Sequence, residues 1–428
     1  MGVTTPDQDW QAPVATGRLA AVVPLPGSKS LTARTLVLAA LSESPTRITA
    51  PLIARDTTLM AGALAALGVS VQADGDDWLV QPGPLRGAPV DCGLAGTVMR
   101  FVPPLAALAH GDSLFDGDPA ARSRPMQTLL GALRQAGAAI SDGDSGRLPF
   151  TVHGSGAVRG GVIELDASAS SQFVSALLLA ACRFEEGADL RHVGGPLPSL
   201  PHIEMTVAAV REAGGRVEAV GDRRWLITPG KLDLPDQVIE PDLSNAAPFL
   251  AAALVTGGEV TVPHWPATTS QPGALLPELL ARMGATASLD ERGLTITGTG
   301  TIAPLRADLH EASELTPVIA ALCALADGEC RIGGVAHIRG HETDRLAALR
   351  TELGAVGCDV EETADGLVIR PAPLRPARWH AYADHRMAQA GAVLGLAVAG
   401  LTVDDIASTT KTMADFPERW AAMLEQAG

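Results

Sequence analysis

The sequence predicts an α/β protein built of α+β repeats and folded as two similar domains, each of three βαβαββ units. One observation is a helix-ending signature, an apolar residue four positions before a glycine. It recurs as LAALG ending at Gly68, LRQAG at Gly137, VREAG at Gly214, LARMG at Gly284, LGAVG at Gly357 and LEQAG at Gly428, with spacings of 69, 77, 70, 73 and 71 residues. A second signature runs in the same phase. Six polar loops, PGSKSLTAR, GLAGTVMR, DASASSQF, PDLSNAAP, EASELTP and YADHRMA, each open an Ala/Leu-rich helix near residues 30, 97, 171, 244, 314 and 385. Two signatures in phase through six units are the mark of a repeat architecture.

The elements of each unit follow from local chemistry. Glycine at the position after a helix takes the left-handed conformation that ends it. Alternating stretches with turn residues come next: VSVQADGDDWLVQPG, GRVEAVGDRRWLITPG, ATASLDERGLTITGTG and CDVEETADGLVIRPAP. Such stretches read as hairpins. Each unit therefore runs helix, short strand, second helix, hairpin. The sixth unit ends at Gly428 without its strands, and residues 17–25 (GRLAAVVPL) form an apolar run with no helix before them. That run is expected to complete the last unit. The first domain is then expected over 24–241 and the second over 1–23 plus 242–428, the chain crossing between them twice.

Composition narrows the function. The 428 residues carry 32 Lys+Arg against 48 Asp+Glu, a net charge of −16. A non-specific nucleic-acid binder or an anionic-membrane partner needs large basic faces, so neither partner is expected. Hydrophobic residues make up 46% and charged residues 19%, which supplies cores and excludes a disordered chain. Cys92, Cys182, Cys323, Cys330 and Cys358 lie far apart with no CxxC pair. That pattern fits a reducing compartment rather than a disulfide framework or zinc ribbon. No signal-peptide pattern opens the chain, and AGAVLGLAVAGLTV (390–403) is too short to span a bilayer. A cytoplasmic, monomeric protein is expected.

The helix openings carry the chemistry. Helix N-termini present free N–H groups and partial positive charge, so they bind anions. Lys29, Arg34, Arg100, Arg124, Arg345, Arg386 and Lys411 fall at or near element starts, and two of the chain's three lysines are among them. Brought together, they would hold more than one phosphate or carboxylate, arginine offering a two-pronged fork and lysine a point charge. Ser30 reads either as a ligand contact or as a helix cap. Ala95-Gly96 allows close backbone approach to a ligand or simply makes a tight turn. Ser170, Ser171 and Gln172 offer neutral donors at one helix start. Glu314 and Glu342 lie in equivalent openings, as proton-transfer groups or as helix-dipole caps. No Ser-His-Asp logic, metal-ligand spacing or dinucleotide GxGxxG is visible, so chemistry without a cofactor or metal is expected.

These motifs resemble one family over essentially the full length. LPGSKSLTAR (25–34), LAGTVMR (94–100), RSRP (122–125), SASSQF (168–173), SLPHI (199–203), SELT (313–316), HETDRL (341–346), DHRMA (384–388) and TTKT (409–412) resemble the 3-phosphoshikimate 1-carboxyvinyltransferases, the EPSP synthase family. The resemblance implies the enolpyruvyl transferase fold, an inside-out α/β barrel in two domains that close like a clamp. It implies transfer of the enolpyruvyl group of phosphoenolpyruvate (PEP) to the 5-hydroxyl of shikimate 3-phosphate, a step toward chorismate and the aromatic amino acids. On that resemblance Lys29, Ser30, Arg34, Ser170, Ser171, Gln172, Ser199, Glu314 and His341 contact shikimate 3-phosphate. Lys29, Gly96, Arg124, Gln172, Arg345, Arg386 and Lys411 contact PEP. Glu314 takes the proton from the 5-hydroxyl, and Glu342 or Lys29 protonates the PEP methylene. Gly96 implies inhibition by glyphosate in the PEP site. The chain departs from the common pattern at Leu94 (usually Asn), Glu314 (often Asp) and His341 (often Lys). The alternatives are the sister transferase acting on UDP-N-acetylglucosamine, whose loop cysteine has no counterpart at 110–125 here, and a non-catalytic repeat scaffold.

Overall fold

The computed structural model describes residues 9–426. The six expected openings begin the helices Lys29–Leu41, Gly96–Ala107, Gln172–Ala180, Ala247–Thr256, Thr316–Ala324 and His385–Gly395. These helices are almost entirely buried, as expected of helices that are apolar all round. A second set, Arg55–Ala66, Gln127–Gln135, Leu200–Glu212, Leu276–Arg282, Arg345–Ala355 and Phe416–Leu424, is buried on one face only. Five of these end on the predicted glycines, Gly68, Gly137, Gly214, Gly284 and Gly357, at φ of +82° to +106°. Only glycine adopts that conformation without steric cost. The expected sixth, Gly428, lies outside the described residues.

Three sheets are complete within their own repeat. Gly161–Leu165 pairs in parallel with Ala188–His192 (Gly161 opposite Ala188), and the hairpin Arg216–Ala219/Arg224–Thr228 adds the other two strands. The sheets around His110–Asp116 and Cys330–Gly333 repeat this order. The other three borrow strands. The sheet of Thr46–Thr49 takes its parallel edge from Gln237–Val238, with Gln237 opposite Ile48. The sheet of Glu259–Val262 takes its edge from Ala20–Val22, with Ala21 opposite Val260. In the last repeat Arg378–Trp379 and Thr402–Val403 pair in parallel, and Trp10–Gln11 adds an antiparallel strand.

This corrects one expectation. The apolar run 17–25 does not complete the last repeat; its strand Ala20–Val22 supplies the missing first strand of the fourth. The reason is an exchange. The segment before the fourth opening, Gln237–Val238, is used by the first repeat, and the segment before the first opening is used by the fourth. The last repeat is closed instead by the still earlier Trp10–Gln11.

The chain divides into two compact units, one Pro26–Glu240 and the other joining the segment that ends at Leu25 to the segment that starts at Pro241. Each has its own core. Leu36, Phe101, Leu177 and Ile203 lie in the first, and Phe249, Ile319, Leu349, Val393 and Trp420 in the second. Burying each such side chain contributes about 1.5–3 kcal/mol. Among the described residues no helix is long and apolar enough to cross a membrane.

Candidate active site

Within Pro26–Glu240 the helix openings converge. The helix Lys29–Leu41 is capped by Ser28, whose Oγ accepts from Leu31 N at 3.4 Å. Capping is therefore not the work of Ser30. Lys29 Nζ lies 3.5 Å from Asp56. Arg34 is buried and donates to Thr206 Oγ1 (2.8 Å), Ser30 O (2.8 Å) and His202 O (3.0 Å), with its guanidinium 5.3 Å from the Phe101 ring. Burial lowers its pKa to about 9. Three of its five N–H groups thus brace the helices Lys29–Leu41 and Leu200–Glu212.

The next opening has no side-chain cap, because Ala95 stands at the cap position. Its first N–H groups and the buried, unpartnered Thr97 Oγ1 are therefore left for something else. A carbon added at Gly96 would lie 2.8 Å from Arg100 Nη1 and 3.1 and 3.3 Å from the Arg124 guanidinium. Gly96 is needed for this close approach and not for a turn conformation. Arg100 in turn donates to Gln172 Oε1 at 2.6 Å, and Arg124 Nη1 donates to Leu94 O at 3.4 Å. Gly96 thus adjoins both Arg100 and Arg124, and Arg100 joins it to Gln172. Ser170 Oγ accepts from Gln172 N at 3.3 Å, and Ser171 is the buried residue before the helix. Ser199, also buried, adopts a left-handed conformation (φ +50°) before Leu200-Pro201. Such strain in a non-glycine residue is characteristic of functional loops.

In the other unit a network of charges joins three elements. Arg345 is buried at the start of the helix Arg345–Ala355. It donates to Asp384 through Nε (2.7 Å) and Nη2 (3.0 Å), and Nη2 also donates to Glu342 Oε2 at 3.0 Å. Burial works to lower its pKa, but Asp384 and Glu342 outweigh it and hold it well above the ordinary value. Its Nη1 meets His341 Nδ1 at 3.1 Å; because arginine only donates, that nitrogen is the acceptor. Glu342 accepts also from Lys411 Nζ. Glu314 accepts from Ser244 Oγ at 3.2 Å. Arg386 Nη1 donates to Ser244 O (2.8 Å), Asn245 Oδ1 and Gln389 Oε1, and burial pulls its pKa down.

Lys411 differs from expectation in one respect: it stands at the end of the 3₁₀ turn Ile406–Lys411 rather than at an element start. Five residues in or beside this network were not singled out from the sequence. Asp384 carried a readable signal as an acidic cap before a helical run; its oxygens accept from Arg386 N and clamp Arg345. Ser244 and Asn245 lie in the opening PDLSNAAP, readable as a helix start but not as partners of Arg386, and Gln389 and His337 carried no signal. His337 Nε2 lies 2.9 Å from Ser313 Oγ, beside Glu314, and its ring packs edge-on against those of His310 and His341. Burial, with the charges of His310 and Arg345, lowers its pKa to about 4. The sequence also showed no Ser-His-Asp logic, yet Ser141, His153 and Asp112 form a hydrogen-bonded row at 2.8 Å each on adjacent strands. Ser141 and Asp112 are exposed, so the row lacks the desolvated setting of nucleophilic catalysis.

The fold is that of the enolpyruvyl transferases. The enolpyruvyl transferase NikO of Streptomyces tendae superimposes with a TM-score of 0.75 at 19% identity, over 98% of each chain. An EPSP synthase of Acinetobacter baumannii does so with a TM-score of 0.78 at 23% identity, over 97% of each chain. Residues 14–420 match the model of the EPSP synthase (3-phosphoshikimate 1-carboxyvinyltransferase) family. The 3-phosphoshikimate 1-carboxyvinyltransferase of Kocuria rhizophila is 51% identical over 440 aligned positions, covering 99% of this chain and 98% of that one. The chain belongs to the EPSP synthase family.

Proposed function

We propose that the chain transfers the enolpyruvyl group of PEP to the 5-hydroxyl of shikimate 3-phosphate, giving 5-enolpyruvylshikimate 3-phosphate and phosphate. Full-length membership of the EPSP synthase family carries this reading, and two clusters of charge built on helix openings support it. Lys29, Ser30, Arg34, Ser170, Ser171, Gln172, Ser199 and His341 hold shikimate 3-phosphate, with Arg34 also bracing the helices around it. Gly96, Arg124, Gln172, Arg345, Arg386 and Lys411 hold PEP, joined by Lys29. The protein acts as a monomer in the cytoplasm.

The reaction is an addition followed by an elimination. A proton added to the PEP methylene leaves cationic character on the adjoining carbon. The 5-hydroxyl oxygen attacks that carbon and gives its proton to Glu314. The tetrahedral adduct then loses phosphate, and the group that protonated the methylene takes a methyl proton back as the double bond re-forms. Glu342, which must enter the cycle protonated, is the favoured donor to the methylene, with Lys29 as the competitor; Lys411 contacts it. Fixed cations neutralise the two highly charged substrates and the departing phosphate without reorganising, which is where most of the rate gain arises.

The test is phosphate release from PEP with either acceptor. Release with shikimate 3-phosphate and none with UDP-N-acetylglucosamine is expected. Release only with the UDP-sugar would transfer the chain to the sister activity, and release with neither would remove the catalytic reading.

A further inference from the structure

We propose that Glu352, through the hydroxyl of Tyr382, is a positioning residue that sets the aim of Arg345 and Arg386; this rests on the reading that those two arginines hold PEP. The starting observation is backbone strain. Tyr382 and Ala383 are two successive non-glycine residues in the left-handed conformation, at φ of +55° and +54°. Each such residue is strained, because its Cβ crowds the backbone in that conformation. The pair stands directly before Asp384, His385 and Arg386, so its conformation decides where the helix His385–Gly395 begins and where the Asp384 carboxylate points.

The hydrogen bonds show what holds the strained pair. Glu352 is 1% exposed, and it makes no ion pair among the described residues. A buried carboxyl without a charged partner relies on its hydrogen bonds to offset the solvation it has lost. Its Oε1 accepts from the Tyr382 hydroxyl at 2.5 Å and its Oε2 from His380 N at 3.0 Å. One carboxylate thus grips both ends of the segment 380–382. Asp404 grips the middle from another element, accepting from Ala381 N at 2.9 Å and lying 2.6 Å from His380 Nδ1. Tyr382 itself is 40% exposed. Its ring packs edge-on against that of His380, with centroids 6.1 Å apart, and the hydroxyl contact is what ties it to the helix Arg345–Ala355.

The contacts close a loop. Glu352 lies seven residues after Arg345 on the same helix, two turns along one face. That helix therefore carries both an arginine of the network and the carboxylate that pins the 380–383 turn. The turn delivers Asp384, which returns to clamp Arg345 with both oxygens and donates order to Arg386 by capping its backbone N–H at 2.9 Å. Removing the Tyr382 hydroxyl leaves the strained turn uncompensated at one end and loosens Asp384. Both arginines then lose their fixed aim, with no group that touches substrate removed.

Tyr382→Phe, which deletes only the hydroxyl, is the main test, and Glu352→Gln is the second variant. Steady-state phosphate release gives the Michaelis constant for each substrate. The expected result for Tyr382→Phe is a rise of roughly fivefold or more in the PEP constant, with the shikimate 3-phosphate constant and kcat changed less than about twofold. Glu352→Gln should act in the same direction; if it fails to fold, Tyr382→Phe decides alone. An unchanged PEP constant, or equal rises for both substrates, overturns the proposal. Arg345→Gln, assayed beside them, separates the two readings. If it raises the PEP constant while Tyr382→Phe does not, only the positioning role falls. If it leaves the PEP constant unchanged, the assignment of Arg345 to PEP falls.

Discussion

At Gly96 the deciding quantity is the space for one carbon. Two readings were open from the sequence, a tight turn or close approach to a ligand. Gly96 has no left-handed φ that a turn would require, and a methyl there would press on the guanidiniums of Arg100 and Arg124. Those are the ends of flexible side chains, so the fold tolerates the change while the two guanidiniums shift. Gly96→Ala is therefore expected to leave the thermal midpoint nearly unchanged. It should weaken glyphosate, the longer occupant of the PEP site, at least about tenfold more than it raises the PEP Michaelis constant. Equal losses for both ligands would return Gly96 to a purely structural role. The identity of each basic residue was readable one at a time; which of them face each other was not. Arg100 and Gln172 are 72 positions apart and meet at 2.6 Å. No local rule contains that distance.

Elements were more legible than contacts. The left-handed glycines and the polar openings are local signals, and they locate the starts of one set of helices and the ends of the other without reference to the rest of the chain. The 3₁₀ turn Ala336–Gly340 was not readable, and with it His337 was missed. This turn is tied to the one carrying Ser313 and Glu314 through His337, and that tie has a pH dependence. An imidazole with an ordinary value of 6.5 is held at about 4 in the folded chain. The unfolded chain therefore binds a proton in that window and the folded chain does not. Stability should be fully present above pH 6.5 and be lost as pH falls toward 4. Thermal midpoints at pH 7.5 and 5.0 check this. The fall on acidification should be smaller in His337→Asn, which keeps a partner for Ser313 but cannot charge. An identical fall in both proteins would show that other groups cause it.

For the molecule as a whole, the exchange of strands makes the second unit depend on residues distant in sequence. Ala21 is 2% exposed and sits opposite Val260, whereas its neighbour Val22 is 54% exposed. A carboxylate at either buried position has no partner and costs several kcal/mol. Ala21→Asp and Val260→Asp should therefore each lower the thermal midpoint by roughly 5 °C or more, and Val22→Asp should be nearly silent. Ala21→Asp without effect would mean that the strand Ala20–Val22 is not part of that core.

By itself the sequence determined the repeat, its period, the helix ends and the residue types available for anion binding and proton transfer. Each of these rests on interactions within a few residues: a cap, a left-handed glycine, a stripe of apolar side chains. It also carried the family, because the motifs match as strings. Only the tertiary structure decided which sheet receives the N-terminal strand, since edge strands of equal apolar pattern satisfy any open edge equally well until the helices around them are placed. Only the tertiary structure showed that Arg34 braces two helices, and that Arg345 is held by Asp384, 39 positions away. Hydrogen bonds and ion pairs at such separations depend on chain folding to bring the partners within about 3 Å, and nothing in the local sequence encodes that approach.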